Sequence, residues 1–337
     1  VGPRSAGAVP GPVAYGLGGE EPTLTDANLA LGRLNPKGLL EGAMPIDIDA
    51  AKNAIATKVA VPLGLSVDAA ANGMLEIAVA NMSRAIRSVT TERGYDMGNF
   101  GLFAYGGAGP LHAADLAVEC RIPRIIVPEA PGTMCARGIL LSDILHDLVR
   151  SAITPADAAG WQRVCSLFEA MRQEGEDRLS RDDVASADRE YRYFIDARYV
   201  GQNHEVRVAM DRIDEDNFES FLRGFADRHT QEYGYDIPDR AVETVNCRVQ
   251  AIGRVVRPEA RSAGREGALS DALVEHRSAN LAGDWVDVPV YRREAVPLGV
   301  AINGPAIVEE MSATTIVLPA QRATVDEQGN IIIETGL

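Results

Sequence analysis

The chain has 337 residues, and its 33 Lys and Arg residues against 48 Asp and Glu residues give a formal net charge of −15 at pH 7. This charge argues against non-specific binding to nucleic acid, which needs Lys and Arg to displace counterions from phosphates, and against an anionic membrane surface. A hydrophobic share of 46% is typical of a globular protein, and because one core stops growing near ~250–300 residues, two or three domains are expected.

The chain begins with a loop-like stretch, VGPRSAGAVPGPVAYG, that has no basic n-region and no apolar h-region. This argues against a signal peptide, and the first residue, Val1, leads us to expect a fragment or a processed chain. No apolar run in the sequence approaches the ~18 residues that span a bilayer. The four cysteines form no C-x-x-C pair, so reduced thiols in a cytoplasmic protein are expected.

The N-terminal third is predicted to be mainly helical. In TLTDANLALGRLNP (23–36), Thr25 or Asp26 is expected to cap a short helix that ends at Gly32. Residues 49–60 and 66–93 also read as helices, the second one capped by Ser66. Its apolar residues recur at the spacing of one helix face: Leu75, Ala78, Val79, Met82, Ile86 and Val89.

The pattern then changes to a β-α-β unit. The apolar run FGLFAY (100–105) is followed by GGAGP (106–110), a helical stretch (111–120) and a second apolar run, RIIVP (124–128). Two strands joined in this way are expected to be parallel and close neighbours. Residues 134–148 read as a further helix.

Beyond residue 150 the sequence predicts smaller units. Residues 151–160 read as a linker, and residues 161–179 as an amphipathic helix. Residues 189–210 read as a hairpin, 218–233 as a helix and 243–256 as a strand. Residues 258–280 are polar and loop-like, and residues 285–334 alternate short strands with turns, which indicates a β-rich tail.

The strongest chemical signal is the glycine turn formed by Gly106, Gly107, Ala108, Gly109 and Pro110. Glycines after a strand let the backbone approach a ligand, and Pro110 suits the first helical turn, where its missing N–H costs nothing. The free N–H groups of the following helix then face a phosphate or a ribose oxygen. Any tight turn between a strand and a helix also uses glycines, so the pattern alone leaves a nucleotide site and a structural turn open. The sequence has no P-loop and no G-x-S-x-G elbow.

Two single residues near this region have two readings each. His112, early in the helix after the glycine turn, is either a base or ligand or a histidine that bonds a neighbouring backbone group. Asp26 is either a helix cap or a polar contact to a nucleotide or to a magnesium-bound water.

Two polar clusters have competing readings as well. Asp143, His146 and Asp147 would share one helical face, either as a metal or acid/base cluster or as a polar helix end. Gln202 and His204 would share one face of a strand, with Asn203 and Glu205 on the other, either as an exposed turn or as a contact with a substrate or partner chain.

Several long segments, in order along nearly the whole chain, resemble the hydantoinase A/5-oxoprolinase family of ATP-dependent enzymes. They are VGPRSAGAVPGPVAYGLGGEEPTLTDANLALGRL (1–34), ANMSRAIRSVTTERGYD (80–96), FGLFAYGGAGPLHAADLA (100–117), IPRIIVPEAPGTMCARGILLSDILHD (122–147), RYVGQNHEV (198–206), YGY (233–235) and GPAIVEEMSATTIVLPAQRATVDEQGNIII (304–333).

The resemblance implies an α/β fold: part of an actin/Hsp70/sugar-kinase-like ATPase lobe, followed by an α+β segment and a β-rich C-terminal unit. The lobe would cover residues 1–150, with a helical subdomain over about 30–95 and the adenosine motif within 96–150. The α+β domain would cover 151–257 and the β-rich domain 258–337. Residues 106–110, His112 and Asp26 would then be the nucleotide-binding candidates.

The resemblance also implies the chemistry, which is the ATP- and Mg²⁺-dependent opening of a hydantoin, 5-oxoproline or lactam ring after phosphorylation of the amide oxygen. Relatives activate a ketone for carboxylation, so a ketone substrate is the alternative. The family's D-x-G-G-T-like phosphate loop does not occur in these residues. The expected partners are therefore an N-terminal hydantoinase A half and a hydantoinase B-type subunit. A non-catalytic assembly module, which completes another chain's nucleotide site, is the third hypothesis. The catalytic residues stay unassigned, and no metal-ligand set is expected within the chain.

Overall fold

A computed structural model describes residues 4–40, 42–257 and 266–337. The chain divides into two compact units, one formed by Val1–Gly138 with Glu259–Leu337 and the other by Ile139–Pro258. The helices are α1 (Leu24–Ala30), α2 (Ile48–Ile55), α3 (Val61–Leu63), α4 (Val67–Val89), α5 (Gly109–Cys120), α6 (Met134–Leu141), α7 (Ala158–Arg181) and α8 (Phe218–Tyr233). The strands are β1 (Gly101–Phe103), β2 (Arg124–Val127), β3 (Ile144–Pro155), β4 (Arg189–Tyr199), β5 (Val206–Met210), β6 (Val242–Gly253), β7 (Leu273–Leu281), β8 (Asp284–Arg292), β9 (Ile302–Asn303), β10 (Ala306–Glu310), β11 (Ala313–Val317), β12 (Arg322–Val325) and β13 (Ile331–Glu334).

The first unit contains two sheets and a group of helices. One sheet has the order β1-β2-β13-β12-β9 and the other the order β11-β10-β8-β7. Helix α5 packs against β2, β11 and α4, and its buried face of Leu111, Ala114 and Ala117 belongs to the main apolar core. A separate apolar cluster joins α1 to α4 through Leu31, Ile55 and other side chains.

The predicted β-α-β unit is confirmed. Strands β1 and β2 are parallel neighbours, with Gly101 opposite Arg124, and α5 connects them. The long helix α4 is confirmed too, because Ser66 accepts a hydrogen bond from the Ala69 N–H at its N-terminus, as expected for a cap. The capping residue of α1 is Thr23, where Thr25 or Asp26 was expected.

The second unit is a sheet of order β3-β6-β4-β5, antiparallel throughout, with α7 and α8 packed on it. Its core contains Trp161 and Phe168 from α7 and Phe221 and Phe225 from α8. The predicted hairpin (β4 and β5) and the predicted helix over 218–233 are confirmed.

Two sequence-based expectations are corrected between residues 134 and 160. The predicted helix over 134–148 ends at Leu141, and the predicted linker over 151–160 lies partly in β3. The reason is pairing, because β3 makes an antiparallel ladder with β6 in which Ile144 lies opposite Gly253. Strand pairing across the sheet therefore overrides the local helical pattern.

The C-terminal strands also belong to a different unit from the one expected. In place of a separate β-rich domain over 258–337, β13 pairs antiparallel with β2, and Ile331 lies opposite Val127. The apolar faces of β12 and β13 are buried in the same core as α5. The polar loop expected over 258–280 begins in residues 258–265, outside the described residues, and the chain forms β7 from Leu273.

Within the described ranges, no single helix is long and apolar enough to cross a membrane. One helix pair, bent by 88° between Ile48–Leu63 and Val67–Arg93, meets the requirement on length and composition alone.

Candidate functional site

The glycine turn lies where β1 ends and α5 begins. The Ala104 N–H donates to the carbonyl of Ile126 on the neighbouring strand (2.8 Å), which carries the parallel pairing to the edge of the turn. Gly106 has a φ of 84°, in the left-handed region that favours glycine. Its N–H donates to the Pro131 carbonyl (2.7 Å), so the turn is tied to the segment that follows β2. The turn therefore has a defined shape at the carboxyl edge of two parallel strands.

The N-terminus of helix α5 has no side-chain cap. The side chains of Thr23 and Ser66 cap α1 and α4 of the same unit, whereas no described side chain caps α5, and α3 and α8 also lack such a cap. Pro110 occupies the first turn and brings no N–H. The remaining first-turn N–H groups have no partner within the helix, so they can donate to water or to the oxygen of an anion or polar ligand.

A third segment completes this region. A Cβ atom added at Gly107 would lie 3.3 Å from the carbonyl oxygen of Ser312, and one added at Gly132 would lie 2.4 Å from the Ser312 Oγ. The turn between β10 and β11 thus packs directly on two glycines, one on each side of the site. Ser312 carries no local sequence signal for this role, because only the fold brings the β10–β11 turn to the glycine turn.

Two exposed aromatic rings lie next to the glycine turn. Phe103 and Tyr105 are 44% and 50% exposed, and their ring centroids are 6.0 Å apart. An exposed ring at this position can stack on a planar heterocycle. The region therefore combines free backbone N–H groups, glycines that admit close approach, and an aromatic surface.

His112 is buried one turn into α5 and is 8% exposed. Its Nδ1 atom has no hydrogen-bond partner among the described residues. Burial lowers the pKa of His112 below its ordinary value of 6.5, with a smaller opposing effect of the Asp115 carboxylate. Asp115 is itself held by Arg33, at 2.7 Å. One predicted role of His112 was to bond a neighbouring backbone group, and its Nδ1 atom makes no such bond among the described residues.

The lowered pKa of His112 predicts a stability that depends on pH. The pKa of His112 is lower in the folded state than in the unfolded state. At a pH between these two values the unfolded state binds the proton and the folded state does not, so the free energy of unfolding falls as pH falls below 6.5. For this single group, the free energy of unfolding changes by at most about 1.4 kcal/mol per pH unit. His112→Gln is expected to reduce that slope, measured as the urea midpoint between about pH 5.5 and about pH 7.5. Leu116→Ala on the same helix is the control, with a similar loss at every pH. An unchanged slope in His112→Gln would contradict the assignment.

Asp26 lies at the start of α1 and is completely buried. Its Oδ1 accepts a hydrogen bond from the Ala14 N–H (2.8 Å), and its Oδ2 accepts from the Thr23 N–H (2.7 Å), the Thr23 hydroxyl (2.8 Å) and the Val13 N–H (3.2 Å). These contacts satisfy both carboxylate oxygens within the chain. The geometry favours the structural reading of Asp26, as the capping-box partner of Thr23.

The cluster of Asp143, His146 and Asp147 does not form one helical face. His146 and Asp147 lie in β3, where neighbouring side chains point to opposite faces of the sheet. Asp143 accepts from Arg254 (2.8 Å) and from the Val255 N–H (3.1 Å), and His146 Nε2 lies 2.5 Å from Asp182. The Val255 N–H is the main cause that lowers the pKa of Asp143. These residues make separate structural contacts.

The described part of the chain contains no group of three or more His, Cys, Asp or Glu side chains placed to hold a metal ion. Gln202, His204 and Glu205 lie in the connection between β4 and β5, where alternation along a strand was expected.

Comparison with known proteins gives consistent matches over the chain. The family model described as hydantoinase/oxoprolinase matches residues 1–148, and the model of the hydantoinase/oxoprolinase C-terminal domain matches residues 154–333. The caprolactamase subunit alpha of Pseudomonas jessenii is 36% identical over 344 aligned residues, covering 100% of this chain and 49% of the relative. The acetophenone carboxylase gamma subunit of Aromatoleum aromaticum is 33% identical, covering 99% of this chain and 47% of the relative.

The mixed α/β fold with several sheets has a solved counterpart. The crystal structure of an ATP-dependent caprolactamase from Pseudomonas jessenii matches with a TM-score of 0.76 and 36% identity, covering 100% of this chain and 50% of that one. The chain spans about half the length of the caprolactamase and acetophenone carboxylase subunits that it matches.

Proposed function

Because this chain belongs to the hydantoinase/oxoprolinase family, we propose that it carries the adenosine side of the nucleotide site in an ATP-dependent enzyme that opens a cyclic amide. In this proposal the first unit is part of an actin/Hsp70/sugar-kinase-like lobe. The substrate is a hydantoin, a 5-oxoproline or a lactam.

The observation that carries the proposal is the uncapped start of α5 beside the glycine turn. The backbone of Gly107, Ala108 and Gly109 leaves room for close approach by a ligand, and Gly107 and Ala108 are exposed. Free N–H groups at a helix N-terminus favour the oxygen atoms of a ribose or phosphate. The exposed ring of Tyr105 adds a surface on which the base can stack.

In this proposal the chain contributes only part of the nucleotide site. Bound ATP supplies the phosphoryl group that makes the amide oxygen a leaving group. The enzyme's contribution to such a step is positioning and charge neutralisation. Since the family's D-x-G-G-T-like phosphate loop does not occur in these residues, we propose that an N-terminal hydantoinase A half holds Mg²⁺ and the first phosphates. A hydantoinase B-type subunit is the proposed second partner.

The alternative function is that of a carboxylase subunit that acts on a ketone. The 33% identity with an acetophenone carboxylase gamma subunit supports it. Product analysis of the complete enzyme with and without bicarbonate separates the two functions. ATP turnover on a ketone that requires bicarbonate would replace the hydrolase proposal with the carboxylase one.

We expect Gly107→Val to weaken ATP binding about tenfold or more, because its Cβ would lie 3.3 Å from the Ser312 carbonyl oxygen and its methyl groups would crowd the approach to the first-turn N–H groups. Isothermal titration calorimetry with ATP and Mg²⁺ on this chain, together with the N-terminal half of a family member, measures the affinity. The matched control is Gly73→Val in α4, where nothing lies within 4 Å of the added Cβ. Equal affinities in both variants would refute the site. ATP binding by this chain alone would count against the assembly-module hypothesis, and binding only after the N-terminal half is added would favour a split site.

A further inference from the structure

A pocket of about 280 Å³ lies in the second unit, on the side of the sheet that carries α8. Its walls come from two sequence motifs that lie far apart in the chain, G-Q-N-H-E in the β4–β5 connection and Y-G-Y at the end of α8. The residues that line the pocket are Gln202, Asn203, His204, His229, Tyr233 and Tyr235. The fold therefore brings together two motifs that the nucleotide site does not use.

Hydrogen bonds join the two loops around the pocket. The Tyr199 hydroxyl, at the end of β4, donates to Asp236 and accepts from the Ile237 N–H (2.9 Å). Arg240 donates to the carbonyl of Val200 at 2.7 Å. Tyr199 is 2% exposed, whereas its partner Asp236 and the Arg240 side chain are exposed. The pocket thus has a preformed shape, which lowers the entropy cost of binding a small ligand.

His229 forms the floor of the pocket and is 2% exposed. Its Nδ1 lies 2.8 Å from the Tyr235 carbonyl oxygen, and a carbonyl only accepts, so Nδ1 carries the hydrogen. In the neutral ring the other nitrogen, Nε2, is then an acceptor. Among the described residues Nε2 has no hydrogen-bond partner, and it is not one of the fully enclosed polar atoms without a partner. Nε2 is therefore not fully enclosed, and because His229 lines the pocket, its lone pair is available to a ligand there.

The remaining walls are the rings of Tyr233 and Tyr235, the side-chain amides of Gln202 and Asn203, and the exposed imidazole of His204. The rings of Tyr233 and Tyr235 lie 4.8 Å and 5.0 Å from the His229 ring, and these tyrosines are 40% and 48% exposed. The side-chain amides of Gln202 and Asn203 offer both donors and acceptors. Among the described residues that line the pocket, none is Asp, Glu, Lys or Arg. The lining suits a neutral, planar ligand with one N–H donor and one carbonyl acceptor.

We propose that this pocket binds a small neutral cyclic amide. The ligand N–H donates to His229 Nε2, its carbonyl accepts from the Gln202 or Asn203 amide, and its ring packs against Tyr233 and Tyr235. The choice of a cyclic amide among neutral N–H ligands rests on the proposed function. The pocket and the lone pair of His229 Nε2 are argued from the structure independently of that function.

The test uses the full chain without nucleotide, titrated with 2-pyrrolidinone, hydantoin and ε-caprolactam. Two-dimensional NMR of histidine labelled with ¹⁵N is expected to show a hydrogen on Nδ1 of His229 and a shift of Nε2 when the ligand binds. N-methyl-2-pyrrolidinone, which lacks the N–H, is expected to bind about tenfold more weakly or worse. A ligand-independent Nε2 signal, or equal binding of the N-methyl compound, would overturn the proposal.

Substitution of the exposed tyrosines gives a second, independent readout. Tyr233→Ala and Tyr235→Ala are expected to weaken binding of the cyclic amides about tenfold. Tyr95→Ala, which removes a 55%-exposed ring from the first unit, is the matched control and should leave the affinity unchanged. Equal affinities in all three variants would count against the pocket. Because ATP is absent, this failure is distinct from a failure of Gly107→Val to weaken ATP binding.

Discussion

Arg293→Met is expected to lower the free energy of unfolding of the first unit by about 3–5 kcal/mol, because it leaves a buried carboxylate and several backbone carbonyls without their partner. The Arg293 side chain is 7% exposed, and its Nη1 donates to Glu310 at 2.7 Å. Its Nη2 donates to the carbonyls of Val127 (3.0 Å), Pro128 (2.7 Å) and Gly329 (3.0 Å). One guanidinium thus joins the end of β2, the end of β10 and the β12–β13 turn.

The cost arises mainly from the charge that the substitution leaves behind. Burial raises the pKa of Glu310 above its ordinary value, even with the Arg293 charge beside it. The double variant Arg293→Met with Glu310→Gln is therefore expected to recover part of the loss. Urea titration followed by hydrogen exchange in β2, β10 and β13 measures the effect in this unit. Arg124→Met is the matched control, because Arg124 and Glu334 are 57% and 52% exposed in their side chains and such a pair contributes about 1 kcal/mol or less. Equal losses in the two single variants would contradict the argument.

The elements that sequence reasoning predicts well are those whose signals are local. The helix over 218–233 ends at Gly234, whose φ of 84° is the left-handed conformation that a helix end often needs. Ser66 caps α4, and glycines separate β1 from α5, as expected from neighbouring residues alone. These features depend on a few consecutive residues, so the sequence contains them directly.

The features that sequence reasoning does not predict depend on partners far along the chain. Residues 144–148 have apolar and polar residues that suit a helix or a strand, and the ladder with β6 decides for a strand. The pairing of β13 with β2 assigns the C-terminal strands to the first unit for the same reason. At the candidate site, the glycine turn is visible in the sequence, whereas the packing of Ser312 on Gly107 and Gly132 is not. The capping role of Asp26 is also local, but its contacts to Val13 and Ala14 follow from how the N-terminal loop folds back.

Asp26→Ala is expected to lower the free energy of unfolding by about 3–4 kcal/mol, since it leaves the N–H groups of Val13, Ala14 and Thr23 without an acceptor. Asp26→Asn is expected to lower the free energy of unfolding nearly as much. An NH₂ group replaces one carboxylate oxygen, and this donor then faces N–H donors. Asp47→Ala is the matched control. Asp47 is exposed and accepts a single N–H bond, from Ala50 at 2.8 Å, so its loss is expected to cost about 1 kcal/mol.

The two readings of Asp26 predict opposite results when stability and nucleotide affinity are measured on the same variants. A carboxylate that holds the N-terminal loop to α1 makes Asp26→Asn less stable, while ATP affinity stays unchanged at temperatures where the variant is folded. A carboxylate that contacts the nucleotide or a magnesium-bound water makes Asp26→Asn lose ATP affinity at nearly unchanged stability. Since both oxygens of Asp26 already accept hydrogen bonds within the chain and the side chain is completely buried, we expect the first result. Urea denaturation, together with calorimetric titration with ATP at a temperature well below unfolding, would decide between the two readings. An Asp26→Asn variant that is as stable as the wild type but no longer binds ATP would support the reading of Asp26 as a nucleotide contact.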